Sequence, residues 1–274
     1  MSSMFETAEV CQEEAKKFLL SWRKQLIGAI GKDLLGLYVY GSYARGGFGP
    51  HSDLDFLGIV KPEASEVFSR VADAYSRVTA TSRYAEQLEG EIVGQSQLTS
   101  AGMNGRVVIF YKGSADLMKN QYSTSVPLYS CRTYGQVLFG PPAESLIPPI
   151  SESLLYNGLK QALRNIVGEK ITEDTSDRRR SRIVFGIARC LASIVLQDTV
   201  TREVASSWLC TFDEQFQYVL NVAQEVRIRE DLGEIVIERP RWVREVDIMV
   251  DWARSLPLID LVGDESHSGP RPFP

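Results

Sequence analysis

Two runs of apolar, β-prone residues, 34–40 and 54–60, flank a polar, glycine-rich segment, and their composition predicts two buried strands joined by a loop. Upstream, residues 7–30 carry Phe18, Leu19, Trp22, Leu26 and Ile27 in helical register, so this stretch is expected to form a helix packed on the sheet. Residues 63–79 predict a second helix, 86–93 a short strand and 106–111 another, while 136–139 close the apolar pattern. Between Val60 and Leu88 the chain therefore crosses the sheet and returns, as a small mixed α/β domain requires. Gly140-Pro141-Pro142 and Pro148-Pro149 open a boundary. Past it the periodicity becomes helical over residues 153–168, 176–197, 202–210, 214–229 and 241–256, which predicts an all-α bundle. The expected organisation is an α/β domain with a small mixed sheet over residues 1–150, a helical bundle over 151–262 and a polar, flexible tail over 263–274.

The loop between the first two strands carries the chemistry. Gly41-Ser42 is followed, after ten residues, by Asp53-Leu54-Asp55. Strand residues two apart share a face, so Asp53 and Asp55 project together, with Cα atoms roughly 6.5 Å apart. Two hard carboxylates suit magnesium, which keeps coordination positions for water and for substrate phosphate. A Mg-nucleoside triphosphate is the implied ligand, with Asp53 and Asp55 as metal ligands and catalytic residues. Gly41 allows the backbone close to phosphate, Ser42 offers a hydroxyl and an amide at the start of a short helix, and Arg45 adds positive charge. Attack by an acceptor hydroxyl also calls for a third carboxylate, as general base or further ligand. Glu89 is the candidate and Glu91 the reserve, both on one face of their strand with Leu88 and Ile92 on the other. The competing reading of these glutamates is an exposed acidic hairpin. His51 precedes the aspartates within a Gly-Pro loop and reads as a loop residue rather than a base.

With these residues in view, the stretch YGSYARGGFGPHSDLDF at 40–56 resembles the DNA polymerase beta-like nucleotidyltransferase superfamily. Its members transfer a nucleoside monophosphate from a Mg-NTP to an acceptor hydroxyl. In its aminoglycoside-modifying members the catalytic glutamate follows an apolar residue on the strand after the Asp-x-Asp hairpin, and Leu88-Glu89 is similar.

Composition narrows the acceptor. The chain has 274 residues, 44% hydrophobic and 24% charged, enough for two domains with cores. Its net charge of −5 argues against nucleic acid as a general partner and favours a cationic small molecule. Cys11, Cys131, Cys190 and Cys210 are scattered without C-x-x-C or histidine partners, which argues against zinc and against a disulfide scaffold. Neither a signal peptide nor an apolar run of ~18 residues is visible, so a cytoplasmic protein without a membrane span is expected.

The second half sharpens the resemblance. Residues 134–142, YGQVLFGPP, followed by a bundle containing Thr201-Arg202-Glu203-Val204-Ala205 and Trp208, look like the aminoglycoside adenylyltransferases of the spectinomycin and streptomycin type. That resemblance implies O-adenylylation of an aminocyclitol or aminoglycoside by ATP and Mg2+, with basic side chains of the bundle holding phosphates. The chain departs from the pattern at several places. Cys190 and Leu191 follow Ala188-Arg189 where streptomycin-accepting members carry a tryptophan, so streptomycin is not expected as a good substrate. Phe212 and Gln224 align with basic positions of the family, leaving Arg227 or the cluster Arg178-Arg179-Arg180 with Arg182 as substitutes, the cluster also being readable as a solvated charge run. Arg189 is either a buried ion-pair partner or a cleft residue. Two other functions stay open. Tyr43-Ala44-Arg45-Gly46 also resembles minimal nucleotidyltransferases of toxin–antitoxin pairs, which modify protein or RNA, and the missing basic residues leave room for a nucleotide-binding protein with decayed catalysis.

Overall fold

A computed structural model describes residues 2–49, 52–61, 65–79, 83–99, 102–103, 106–111, 114–119, 125–229 and 238–257. The tail expected over 263–274 lies outside them. The chain divides into two compact units, Met1–Leu154 and Leu155–Pro274.

The first unit is a mixed sheet with helices. Its elements are α1 (Ser2–Ile30), β1 (Leu34–Val39), α2 (Gly41–Ala44), β2 (Leu54–Val60), α3 (Ser65–Thr79), β3 (Leu88–Gly94), β4 (Leu98–Thr99), β5 (Gly102–Met103), β6 (Arg106–Tyr111), β7 (Ser114–Lys119), α4 (Ser125–Tyr134) and β8 (Gln136–Phe139). Six strands form one sheet in the order β7-β6-β3-β2-β1-β8, and β4 pairs with β5 separately. β1 and β2 are antiparallel, whereas β2 and β3 are parallel and are linked through α3. This places the C-terminal end of β1 beside the N-terminal ends of both β2 and β3. Every residue from Phe56 to Val60 is buried, as expected of a central strand covered on both faces.

Alternation sorts the side chains into two layers. On one face Leu37, Val39, Phe56, Ile92, Val108 and Phe110 meet α1 and α3 in the main core. Trp22 sits at its centre, fully buried, with edge-on contacts to Phe56 at 5.9 Å, Tyr75 at 5.8 Å and Phe110 at 5.8 Å. Such pairs add to area burial because the ring edge of one meets the π-face of the other. Trp22→Ala is expected to cost about 3–5 kcal/mol, the usual range for emptying a buried aromatic site, measurable by urea denaturation. The opposite face is smaller. Tyr38, Tyr40, Leu57, Ile59 and Val93 pack there with Leu98, with Leu128 and Cys131 of α4, and with Ala143 and Ile147.

The second unit is all helical: α5 (Glu152–Val167), α6 (Asp177–Leu196), α7 (Arg202–Phe212), α8 (Gln217–Arg229) and α9 (Arg239–Arg254). α6 is its axis and packs against α7, α8 and α9. Ser176 caps α6 by accepting from the Arg179 N–H at 3.2 Å. Ser181 donates to the Ala223 carbonyl at 2.8 Å, tying α6 to α8. Among the described residues no helix is long and apolar enough to cross a membrane.

Two members of the arginine cluster, Arg179 and Arg180, have structural partners rather than forming a solvated charge run. Arg180 is fully buried, donates to the Thr172 carbonyl at 2.7 Å and to the Thr175 carbonyl, and lies 3.5 Å from Asp177. Arg179 forms a bidentate pair with Glu169 at 2.9 and 2.6 Å. Both guanidiniums hold the segment before α6. Arg178 and Arg189 are exposed, which removes the buried-ion-pair reading of Arg189.

Candidate active site

The turn between β1 and β2 is anchored from below. Tyr43 and Phe48 are both buried and meet edge-on at 5.5 Å, so the turn is pinned into the main core at two points. The Gly47 N–H donates to the Ser42 carbonyl at 3.0 Å, and the Gln12 amide donates to the Tyr43 carbonyl at 3.4 Å. Gly41 has φ +67, a conformation that glycine adopts without strain. A Cβ added there would also overlap the Asp55 carboxylate, so glycine is required by contact as well as by backbone. α2 is a single turn, so an anion beside it would rely on the local amides and the Ser42 hydroxyl rather than on a summed helix dipole.

The aspartates are fixed by their neighbours' main chain. The Tyr40 N–H donates to the Asp55 carbonyl at 2.9 Å, and the Leu54 N–H to the Gln87 carbonyl at 2.7 Å. Ser52, buried, accepts from the Gly49 N–H through its hydroxyl at 3.0 Å and donates its own N–H to the Gly49 carbonyl at 3.0 Å. Asp53 thus lies between two braced residues. Asp55 and Glu89 are register partners across the parallel β2–β3 pair, and direct partners in a sheet share a face. Gly41, Ser42, Asp53, Asp55 and Glu89 therefore gather at one end of the sheet. Arg45 follows α2, its guanidinium 4.1 Å from the centroid of the Tyr134 ring. His51 lies outside the described residues.

Glu91 shares the face of Glu89 but pairs with Leu57, two residues farther into the sheet. It is 7% exposed, and its Oε2 has no hydrogen-bond partner among the described residues. Burial, and then the charge of Glu89, push its carboxyl up to about 8. Burial, and then the charge of Glu91, hold the Cys131 thiol above its ordinary range. The exposed acidic hairpin is thereby excluded, because β3 lies between β2 and β6 in the sheet.

This burial has a measurable consequence. Folded Glu91 keeps its proton to about 8 whereas the unfolded chain releases it near 4.5, so stability is full below the lower value and falls as pH rises toward the upper one. The interval from 4.5 to 7 corresponds to about 3 kcal/mol at ~1.4 kcal/mol per unit. Glu91→Gln is expected to flatten that decline in metal-free denaturation curves between pH 5 and about 8. A decline as steep as in the parent would place the titration elsewhere.

Asp53 and Asp55 offer hard oxygen ligands, with the Asp55 carboxylate packed directly against Gly41, a donor set that fits magnesium bound together with phosphate. Among the described residues no group of three or more His, Cys, Asp or Glu side chains could hold a metal ion. Positions singled out in the second unit fare differently. Cys190 and Leu191 are buried in its core, so neither side chain is displayed to an acceptor, and the argument against streptomycin from Leu191 loses its physical basis. Phe212 is 62% exposed and stacks on Trp208 at 5.4 Å, and Gln224 is exposed.

Residues 23–112 match the nucleotidyltransferase domain family. A spectinomycin 9-adenylyltransferase from Campylobacter jejuni is 24% identical over 205 residues, covering 70% of this chain and 77% of the relative. An aminoglycoside (3'') (9) adenylyltransferase from Klebsiella pneumoniae is 23% identical over 229 residues, 76% of this chain and 84% of the relative. Among solved structures, the spectinomycin adenyltransferase AAD(9) from Enterococcus faecialis, crystallised with ATP and spectinomycin, shares the fold with a TM-score of 0.64 at 17% identity, covering 87% of this chain and 97% of that one. The family match lies over the braced turn and the carboxylate-bearing strands, so residues 23–112 carry a nucleotidyltransferase domain, and the chain is distantly similar over most of its length to the spectinomycin and aminoglycoside adenylyltransferases.

Proposed function

We propose that the chain transfers AMP from Mg-ATP to a hydroxyl of a small cationic acceptor, an aminocyclitol or aminoglycoside. The register pairing of Asp55 with Glu89 beside Gly41 carries this reading, because it sets a candidate metal-binding carboxylate next to a candidate base at the glycine-serine turn. Magnesium, when bound, neutralises phosphate charge that builds up in the transition state. Asp53 and Asp55 hold it, Gly41 and Ser42 receive phosphate oxygens through backbone and hydroxyl, and Arg45 supplies a further cation. Glu89 takes the acceptor proton as the acceptor oxygen bonds to the α-phosphorus, and the bond to the β-phosphate breaks to release pyrophosphate. The net charge of −5 favours a cationic acceptor. The names of the relatives point the same way, and so does the ATP and spectinomycin held by the fold relative.

The deciding experiment offers labelled ATP and magnesium to the purified chain with a panel of aminoglycosides and aminocyclitols. Label on an acceptor, with pyrophosphate released in step, is the expected result. Binding of Mg-ATP without transfer to any member would overturn the acceptor class and favour a protein or RNA target, or decayed catalysis.

A further inference from the structure

Two neighbouring residues of the turn, Ala44 and Arg45, are gripped by the junction of α4 and β8. The Gln136 amide donates to the Ala44 carbonyl at 3.2 Å, and the Arg45 guanidinium lies over the Tyr134 ring at 4.1 Å. That junction is itself firmly held. Leu128 and Cys131 bury α4 against Tyr38 and Tyr40, and the Arg132 guanidinium donates to the carbonyls of Glu144 at 2.7 Å and Ile147 at 2.8 Å. The Gly135 N–H donates to the Cys131 carbonyl at 2.8 Å, where a Cβ on Gly135 would overlap that oxygen.

We infer that Tyr134 is a positioning residue for nucleotide binding, whose ring orders the Arg45 side chain beside the phosphate turn before the triphosphate arrives; this rests on the Mg-ATP reading above. At partial exposure a cation over a ring adds little to stability, so the value of the contact lies in pre-ordering a long, flexible side chain. The geometry permits both roles at once. Stacking engages the face of the guanidinium, whereas hydrogen bonds to phosphate are made in its plane, so the ring and the phosphate do not compete. Lysine has no such face.

Calorimetry with Mg-ATP on the full chain tests this. Tyr134→Leu is expected to weaken binding roughly three- to tenfold, the range of a partly exposed cation–π contact, and to raise the KM for ATP with kcat nearly unchanged. Tyr134→Phe, which keeps the ring, should restore parental binding. Because Tyr134 acts through Arg45, the double variant Arg45→Ala/Tyr134→Leu should bind no more weakly than Arg45→Ala alone. Parental binding by Tyr134→Leu, or losses that multiply in the double variant, would overturn the inference. Should Tyr134→Leu fail to fold, Arg45→Lys decides: weakening close to that of Arg45→Ala supports the stacked fork, and parental binding refutes it. A parent protein that does not bind Mg-ATP overturns the nucleotide reading itself, which is a separate outcome.

Discussion

Asp53→Asn and Asp55→Asn are each expected to lower turnover by at least about a thousandfold, several kcal/mol, while the fold stays intact. The hydrogen bonds that brace this segment run through the main chain of Tyr40, Asp55, Leu54 and Gln87 and through Ser52, and an amide in place of a carboxylate leaves them all in place. What is lost is the charge that holds magnesium. Mg-ATP affinity should fall in parallel, whereas cooperative denaturation without metal should persist. Wild-type turnover by either variant at ordinary magnesium would show that the two aspartates are not the metal site.

Glu89→Gln is expected to slow the chemical step by ~10²- to 10⁴-fold, the usual contribution of a general base, with little effect on ATP binding. Single-turnover kinetics separate the two. Glu91→Gln is the informative control, since Glu91 lies on the same face yet is buried beside Leu57 with a raised carboxyl. It should alter the pH dependence of stability far more than it alters transfer. A dead Glu91→Gln beside an active Glu89→Gln would exchange the two roles.

Much of this arrangement was legible in the sequence because it is written in local periods. The strands around the Gly-Ser turn, the helix bearing Trp22 and the helices past Pro149 follow from alternation or from helical spacing. Alternation also sets Glu89 and Glu91 on one face, but not how deep each lies. Depth depends on which strand lies opposite and in what register, a property of the β2–β3 pair that no local window contains. The same limit hides Arg180, whose burial depends on the carbonyls of Thr172 and Thr175 in the preceding segment. β7 and α4 went unread for a different reason. β7 (Ser114–Lys119) mixes polar and apolar positions, and α4 opens with Pro127 in its first turn, where proline is tolerated but reads as a breaker. With α4 unread, the seat of Arg45 on Tyr134 had no signal at all.

The parallel pairing of β2 with β3 gives the aromatic core a second task. A slip of β3 by one residue would set Gly90 opposite Asp55 and turn both glutamates into the layer filled by Trp22, Phe56 and Phe110. Gly90 already sits where a Cβ would overlap the Phe56 carbonyl, so the slipped chain would drive a far larger, polar side chain into the same space. The misaligned sheet is thus removed by the same rings that stabilise the aligned one, and the core acts as a proofreader of the active-site register.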